Sequence, residues 1–538
     1  MLSHRSVMAY DLILQNARII DGTGSPWYSG DVAVADGRIA AVGDVAGEGK
    51  REFDLDGSVV APGFIDIHTH SDFTLPANRD AHSKVRQGVT LEIVGNCGTS
   101  AAPRYGEAAR SADDWFESRG LGDDVDSTQW TTMAEYLDYL DEGGLSLNVG
   151  SLVGHGNVRA AVVGYDDRAP TEAELTEMQE LVAEAMDDGA VGLSTGLFYP
   201  PGSYAETDEV VALAETAAEH GGFYATHMRS ESDQLVQSVE ETIEVGRRAN
   251  IPVQVSHHKA IGPDNWGKIR ATLRRMELVR EREGIDVQCD QYPYVASSTS
   301  LGALLPNWAH DGGDDALLDR LRDDEARGRI REELKTDRNS SWDGVLVTAV
   351  QTPDLDDYEG QTIAEIAASD DEQREPADIL LDIVLEDKNR TMHVNFGMDE
   401  DDVRTVLRND LTMVGSDGSS LCLHGPLGEG VPHPRNYGTF PRVLGHYVRE
   451  EDVLSLERAV HKMTGMPAAR LELDDRGVLK ADARADITVF DPETIEQTGD
   501  FLDPAYYPAG IDHVLVNGEF VVEDGGHTGE RPGDVLGA

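Results

Sequence analysis

The sequence predicts an α/β chain built on a (β/α)8 TIM barrel, with a small β-sandwich formed from both chain termini and a subdomain inserted after strand seven. Three observations carry this expectation. Strand-like apolar runs alternate with helical stretches through the middle of the chain, the pattern of βα units around a parallel sheet. Eight such runs occur between residues 63 and 414. Polar, ligand-type residues follow one run after another, and in a (β/α)8 barrel the chemistry sits at the C-terminal ends of the strands.

Taken in order, residues 10–62 read as short strands and turns: β-like from Tyr10 to Ile20, a turn at Asp21-Gly22-Thr23-Gly24, then alternation from Asp31 to Val42 around Asp36-Gly37. Residues 476–525 have the same texture. A sheet of two or so strands is marginal in water unless its apolar face is covered, so the two ends are expected to combine. The expected domains are 1–62 and 471–538 for the sandwich and 63–470 for the barrel.

Barrel strands are expected at 63–70, 89–94, 145–153, 190–193, 223–226, 252–255, 286–289 and 411–414. They lead into His68-Thr69-His70, Gly95-Asn96-Cys97-Gly98, Gly154-His155-Gly156, Ser194-Thr195-Gly196, His227-Met228-Arg229, Ser256-His257-His258-Lys259, Asp290-Gln291-Tyr292 and Gly415-Ser416-Asp417-Gly418. Helical stretches at 172–188, 208–220 and 234–248 separate the central ones. The segment after strand seven, about 295–410, far exceeds the usual connection of about 2–6 residues. It contains helical patterns at 315–334, 362–368 and 377–385 and a strand-like run at 345–350, and is expected to lie over the barrel mouth.

Composition narrows the function classes. The chain has 538 residues and a formal net charge of −55, from 100 acidic and 45 basic residues. Such a surface repels itself at low ionic strength and is screened in molar salt, where the Debye length is about 3 Å. A halophilic protein is expected, and a nucleic-acid partner is disfavoured. No apolar run reaches the roughly 18 residues of a membrane span. Met1 to Tyr10 lacks the apolar core of a signal peptide. The three cysteines, Cys97, Cys289 and Cys422, are odd in number and widely spaced, which fits a reducing cytoplasm better than a disulfide framework. The expected partner is a small-molecule substrate.

The ligand-type residues at the strand ends are His68, His70, Cys97, His227, His257 and Asp417. Imidazole, thiolate and carboxylate together suit zinc, and the thiolate disfavours magnesium or calcium. Six donors exceed one tetrahedral site, so either one ion uses a subset or two ions share a ligand, with Cys97 as the bridge. Asp417, in Ser-Asp-Gly after the last strand, is placed to take a proton from an activated water and pass it to a leaving group. Lys259 is the candidate for a substrate carboxylate, with Arg229 or Arg435 assisting.

Together with Pro62-Gly63-Phe64-Ile65-Asp66-Ile67-His68-Thr69-His70, these residues resemble the amidohydrolase superfamily, and within it the N-acyl-D-amino-acid deacylases (D-aminoacylases), over nearly the whole chain. The resemblance rests on Gly95-Asn96-Cys97-Gly98, the run Ser194 to Pro201, the run Thr226 to Glu231, Ser256-His257-His258-Lys259, Tyr292-Pro293-Tyr294, Ser416-Asp417-Gly418 and the run His433 to Arg442. It implies a tight zinc on Cys97, His227 and His257, and a weaker second site on His68, His70 and Asp417 with Cys97 shared. It also implies substrate contacts from Tyr199, Lys259, Tyr292, Ser298 and Met398, and a preference for D-amino acids. Many superfamily members bridge two metals with a modified lysine on strand four, which here ends Ser194-Thr195-Gly196. His258, where an apolar residue is usual, and a longer segment between Asp417 and His433 depart from the family pattern. The competing expectations are a cyclic-amide hydrolase of the dihydropyrimidinase or dihydroorotase type, disfavoured by the missing lysine, and a non-catalytic barrel, disfavoured by retention of all six donors.

Overall fold

The structure is a computed structural model and describes residues 9–122, 125–336 and 340–537. Two parallel sheets run through its middle. Phe64–Asp66, Val89–Val94 and Asn148–Ser151 form one. Val153–Gly154, Gly192–Gly196, Phe223–His227, Val253–Val255, Val287–Gln291 and Thr412–Val414 form the other, neighbours in chain order. The sheets adjoin at both edges: the third run passes through Leu152 from one to the other, and Thr69 bridges Gly418 in parallel. A parallel strand therefore overlaps each of the eight expected segments, and Gly192–Gly196, Phe223–His227 and Val287–Gln291 run past their expected ends. The first is shorter than expected, ending at Asp66, so His68 and His70 lie in the chain that follows it.

These strands are covered on both faces, so they read as nearly unbroken apolar runs rather than alternating ones. The helices between them are set by their caps. Glu172–Asp187 starts at Thr171, whose hydroxyl accepts the N–H of Glu174 while the Glu174 carboxylate reaches back, a reciprocal cap. Its buried face is Met178, Val182, Ala185 and Met186, the i, i+4, i+7, i+8 spacing of one helical stripe.

Strands from both ends of the chain share a nine-stranded sheet, joined where Ile487–Phe490 pairs antiparallel with Val59–Pro62, Val489 opposite Val60. Leu12, Leu14, Val34, Val60, Ile487 and Leu515 pack in one apolar cluster beneath it. One of its strands, Glu48–Asp54, is largely exposed and carries almost no apolar residue, so nothing in its sequence marks it as β.

The long segment after the seventh strand has a core of its own, including Leu317, Leu321, Ile330, Val347, Ile366 and Leu380. It contains a three-stranded antiparallel sheet of Ser297–Ser300, Met392–Asn395 and Val345–Ala349. Among the described residues no helix is long and apolar enough to cross a membrane.

Candidate metal centre and active site

The six strand-end donors converge at one point. One group, His68, His70, Cys97 and Asp417, and a second, Cys97, His227 and His257, each bring one donor atom per residue within 4.8 Å of the others, and Cys97 belongs to both.

The turn carrying Cys97 is shaped by glycine. Gly95 and Gly98 both have φ of +78°, where an L side chain is strained. A Cβ on Gly98 would lie 2.6 Å from the Gly196 nitrogen, so the turn lies flat against the end of Gly192–Gly196. The Gly98 N–H donates to the Ser194 hydroxyl at 3.0 Å, and that hydroxyl donates to the Gly95 carbonyl. The strand that lacks the lysine thus uses its own end to seat the cysteine. Cys97 Sγ is 3.4 Å from His68 Nε2 and 3.3 Å from His257 Nε2.

Carboxylates behind the histidines orient them. His68 Nδ1 meets Asp290 Oδ1 at 3.1 Å, leaving Nε2 towards Cys97. His257 Nδ1 lies 2.9 Å from Glu231 Oε1 and 2.7 Å from Lys259 Nζ, and the His257 backbone N–H donates to Asp290 at 2.7 Å. A carboxylate on one ring nitrogen fixes the tautomer and raises the basicity of the other, the usual support for a metal-binding imidazole. His227 packs edge-on against His257, ring centroids 4.5 Å apart, and its Nδ1 is buried without a hydrogen-bond partner.

Asp417 sits at φ +52° and donates its backbone N–H to the His68 carbonyl at 2.8 Å. One carboxylate oxygen is 2.9 Å from His70 Nε2, and the other accepts from Arg435 at 2.7 Å. Its loop is clamped from below by Lys84, fully buried, whose Nζ donates to Asp66 at 2.9 Å, the Ser416 hydroxyl at 2.7 Å and the Gly418 carbonyl at 3.1 Å.

The electrostatics suit a cation. Burial opposes the charged form of Cys97, yet the His68 and His257 imidazoles outweigh it and hold the thiol well below its usual range. Burial likewise opposes ionisation of Asp417, but Arg435, His257 and the other histidines hold it well below the usual carboxylate range. His70, despite burial, is raised to about 9 by Asp417 and Cys97. A buried thiolate and a buried carboxylate converging with four imidazoles are the donor set of a zinc site.

A cavity of about 730 Å3 opens onto this cluster, lined by Tyr199, Lys259, Tyr292, Ser298 and Arg435 among others. The Tyr292 hydroxyl is buried and has no hydrogen-bond partner among the described residues. Met398 instead packs in the main apolar core, and its N–H donates to Val295. Lys259 reaches the cavity wall but is already paired, with Nζ 2.6 Å from Glu231 and 2.9 Å from the His257 carbonyl. Its Nζ is also 2.7 Å from His257 Nδ1, and Arg435 is the cation bonded to Asp417.

His155 lies apart, bonded to Glu209, which also pairs with Arg159. His258 is bonded to Thr272, and burial pushes it down to about 4. Sequence reasoning assigned no role to Glu231, Asp290 or Lys84. Glu231 and Asp290 stood at strand ends beside histidines, where a supporting carboxylate is to be looked for. Nothing along the chain distinguishes Lys84 from a surface lysine.

Comparison with known proteins places this geometry in context. The model of the Amidohydrolase family matches residues 51–522. The D-aminoacylase of Alcaligenes xylosoxydans xylosoxydans is 38% identical over 99% of this chain and 99% of its own length. A solved D-aminoacylase with a binuclear metal centre, in which one metal activates and the second attenuates, superposes with a TM-score of 0.82 at 37% identity, covering 98% of this chain and 100% of that one. The N-acyl-D-glutamate deacylase of Bordetella bronchiseptica, solved with zinc and a phosphonate mimic of the tetrahedral intermediate, superposes with a TM-score of 0.81 at 36% identity, covering 99% and 100%.

Proposed function

Because this chain belongs to the amidohydrolase family, we propose that it hydrolyses the amide bond of N-acyl-D-amino acids, releasing a carboxylate and the free D-amino acid. The observation that carries the reading is the convergence of six donors around one cysteine at the floor of a single cavity. We read the two parallel sheets as one closed eight-stranded barrel (residues 63–470, with the insertion at about 295–410) and the shared terminal sheet as a β-sandwich of 1–62 and 471–538. The adjoining sheet edges and the Val60–Val489 pairing support this. Cys97, His227 and His257 would hold the tighter zinc, and His68, His70 and Asp417, with Cys97 shared, a weaker one.

When bound, zinc polarises a carbonyl and makes water acidic enough to act at neutral pH. The chain's own residues do the rest. Asp417, kept ionised by Arg435 and the histidines, accepts the proton of the attacking water and returns it to the departing amine. Arg435 is 2.7 Å from that carboxylate, Lys259 lines the same cavity, and the substrate α-carboxylate is only two bonds from the scissile nitrogen, so Arg435 together with Lys259 is placed to meet it. Tyr292, with its hydroxyl unpartnered, and Tyr199 and Ser298 face the same space and orient the amide. The excess of acidic residues and the scarcity of cysteine support a cytoplasmic enzyme adapted to high salt.

A panel of N-acetyl-D- and N-acetyl-L-amino acids, assayed in molar KCl with and without added zinc, tests the reading. Turnover confined to the D series and dependent on zinc is expected. No turnover of any D substrate, or turnover of a hydantoin instead, would sink it.

A further inference from the structure

The cations on the cavity wall are not equivalent. Lys259 is bonded to Glu231, Arg435 to Asp417, and Arg229 to Glu241 and to the carbonyls of Ser203 and Ala205. Arg119 lines the same cavity and differs from all three. It is the residue just past the helix Gly106–Ser118, where its backbone N–H donates to the Glu117 carbonyl; it is half-buried, and among the described residues its guanidinium has no hydrogen bond and no ion pair. Its guanidinium lies over the Trp115 ring, 5.0 Å from the centroid, and Trp115 packs on Phe73 with ring centroids 5.4 Å apart.

An arginine with no acidic partner among the described residues is anomalous here, because 100 acidic residues are available to only 45 basic ones. Burial lowers the pKa of Arg119 and nothing offsets it. Stacking on an aromatic ring recovers only part of the cost of withdrawing a guanidinium from water. Removing that cost takes an anion, and the surface around Arg119 opens into the substrate cavity.

We infer that Arg119, stacked on Trp115, reads a second carboxylate on the substrate, distinct from the α-carboxylate. This rests on the deacylase reading above. The α-carboxylate has to lie beside Asp417, where Arg435 stands, whereas Arg119 stands on Trp115 and Phe73, away from any contact with Asp417, on the wall of the same cavity. A second carboxylate has two chemical sources: an acidic side chain, as in D-glutamate or D-aspartate, or the far end of a dicarboxylic acyl group. Overall similarity does not choose between neutral and anionic substrates, since this chain is 38% identical to the D-aminoacylase and 36% identical to the N-acyl-D-glutamate deacylase. A single unpaired guanidinium on the cavity wall does choose.

The test compares kcat/KM for N-acetyl-D-glutamate, N-succinyl-D-methionine and N-acetyl-D-methionine in the zinc-loaded wild type and in Arg119→Gln. For one of the two anionic substrates, the ratio to N-acetyl-D-methionine should fall about tenfold or more, carried by KM, as loss of a charge-assisted hydrogen bond requires. The substrate whose ratio falls identifies the source of the carboxylate. Arg119→Lys, which keeps the charge, should recover part of the ratio, and it replaces the glutamine variant if that one does not fold. Unchanged ratios, or an equal fall for all three substrates, would overturn the inference, the second outcome assigning Arg119 to the α-carboxylate or to folding. Failure of the deacylase reading looks different: the wild type would turn over none of the three.

Discussion

Cys97 is the residue on which the two candidate metal positions turn, because it alone belongs to both donor groups. His257 is committed to one group and His68 to the other, and each is held by its own carboxylate contact. His257→Ala should therefore strip zinc from the protein, whereas His68→Ala should keep about one zinc per chain, since the tighter site keeps its ligands. Metal analysis after desalting decides this, and equal zinc content in the two variants would remove the distinction between the sites. The residues legible in advance were those whose chemistry is written in their type: histidines, a cysteine and an aspartate at strand ends. Glu231, Asp290 and Lys84 escaped because their significance lies in pairing with residues of other elements, and the contact between Lys259 and Glu231 was hidden for the same reason. Arg119 carries no sequence signal at all. Its interest comes from the absence of a partner, which only the folded chain reveals.

At the level of elements, the end of Gly192–Gly196 acts as a seat for the cysteine turn. A Cβ at Gly196 would run into the Cys97 carbonyl oxygen, so no side chain fits there without moving the turn. Gly196→Ala should leave the circular dichroism of the fold in place but lower bound zinc and amide hydrolysis together, with an overpacking cost of about 1–3 kcal/mol. Wild-type zinc content in this variant would show that the turn has freedom to shift. The buried parallel strands were readable from their apolar runs. Glu48–Asp54, with the pattern Glu-Gly-Lys-Arg-Glu-Phe-Asp, and Ser297–Ser300 were not, because each owes its β conformation to neighbouring strands rather than to burial of its own side chains. Tertiary context overrides weak local preference in both.

For the molecule as a whole, the net charge of −55 governs behaviour in solution. Short-range attractions are plentiful, and pairs such as Arg404 with Glu451 and Arg168 with Glu174 stand on the surface, but each basic residue can neutralise only a fraction of the carboxylates around it. The remaining repulsion is long-ranged and is screened by salt. The melting temperature should rise by at least about 5 °C between low salt and molar KCl, with sodium sulfate as a control for general salting-out. A flat or falling curve in KCl would count against adaptation to high salt.

The pairing of Ile487–Phe490 with Val59–Pro62 also has a consequence for biosynthesis. At about 5–20 residues per second, the ribosome delivers Ile487 roughly 20–85 s after Val60. Throughout that interval the edge of Val59–Pro62 is a row of unpaired backbone donors and acceptors on four buried-type residues, open to any neighbouring strand. The long stretch of chain that carries all six donors is thus translated while the sheet beside it is still waiting for its closing strands.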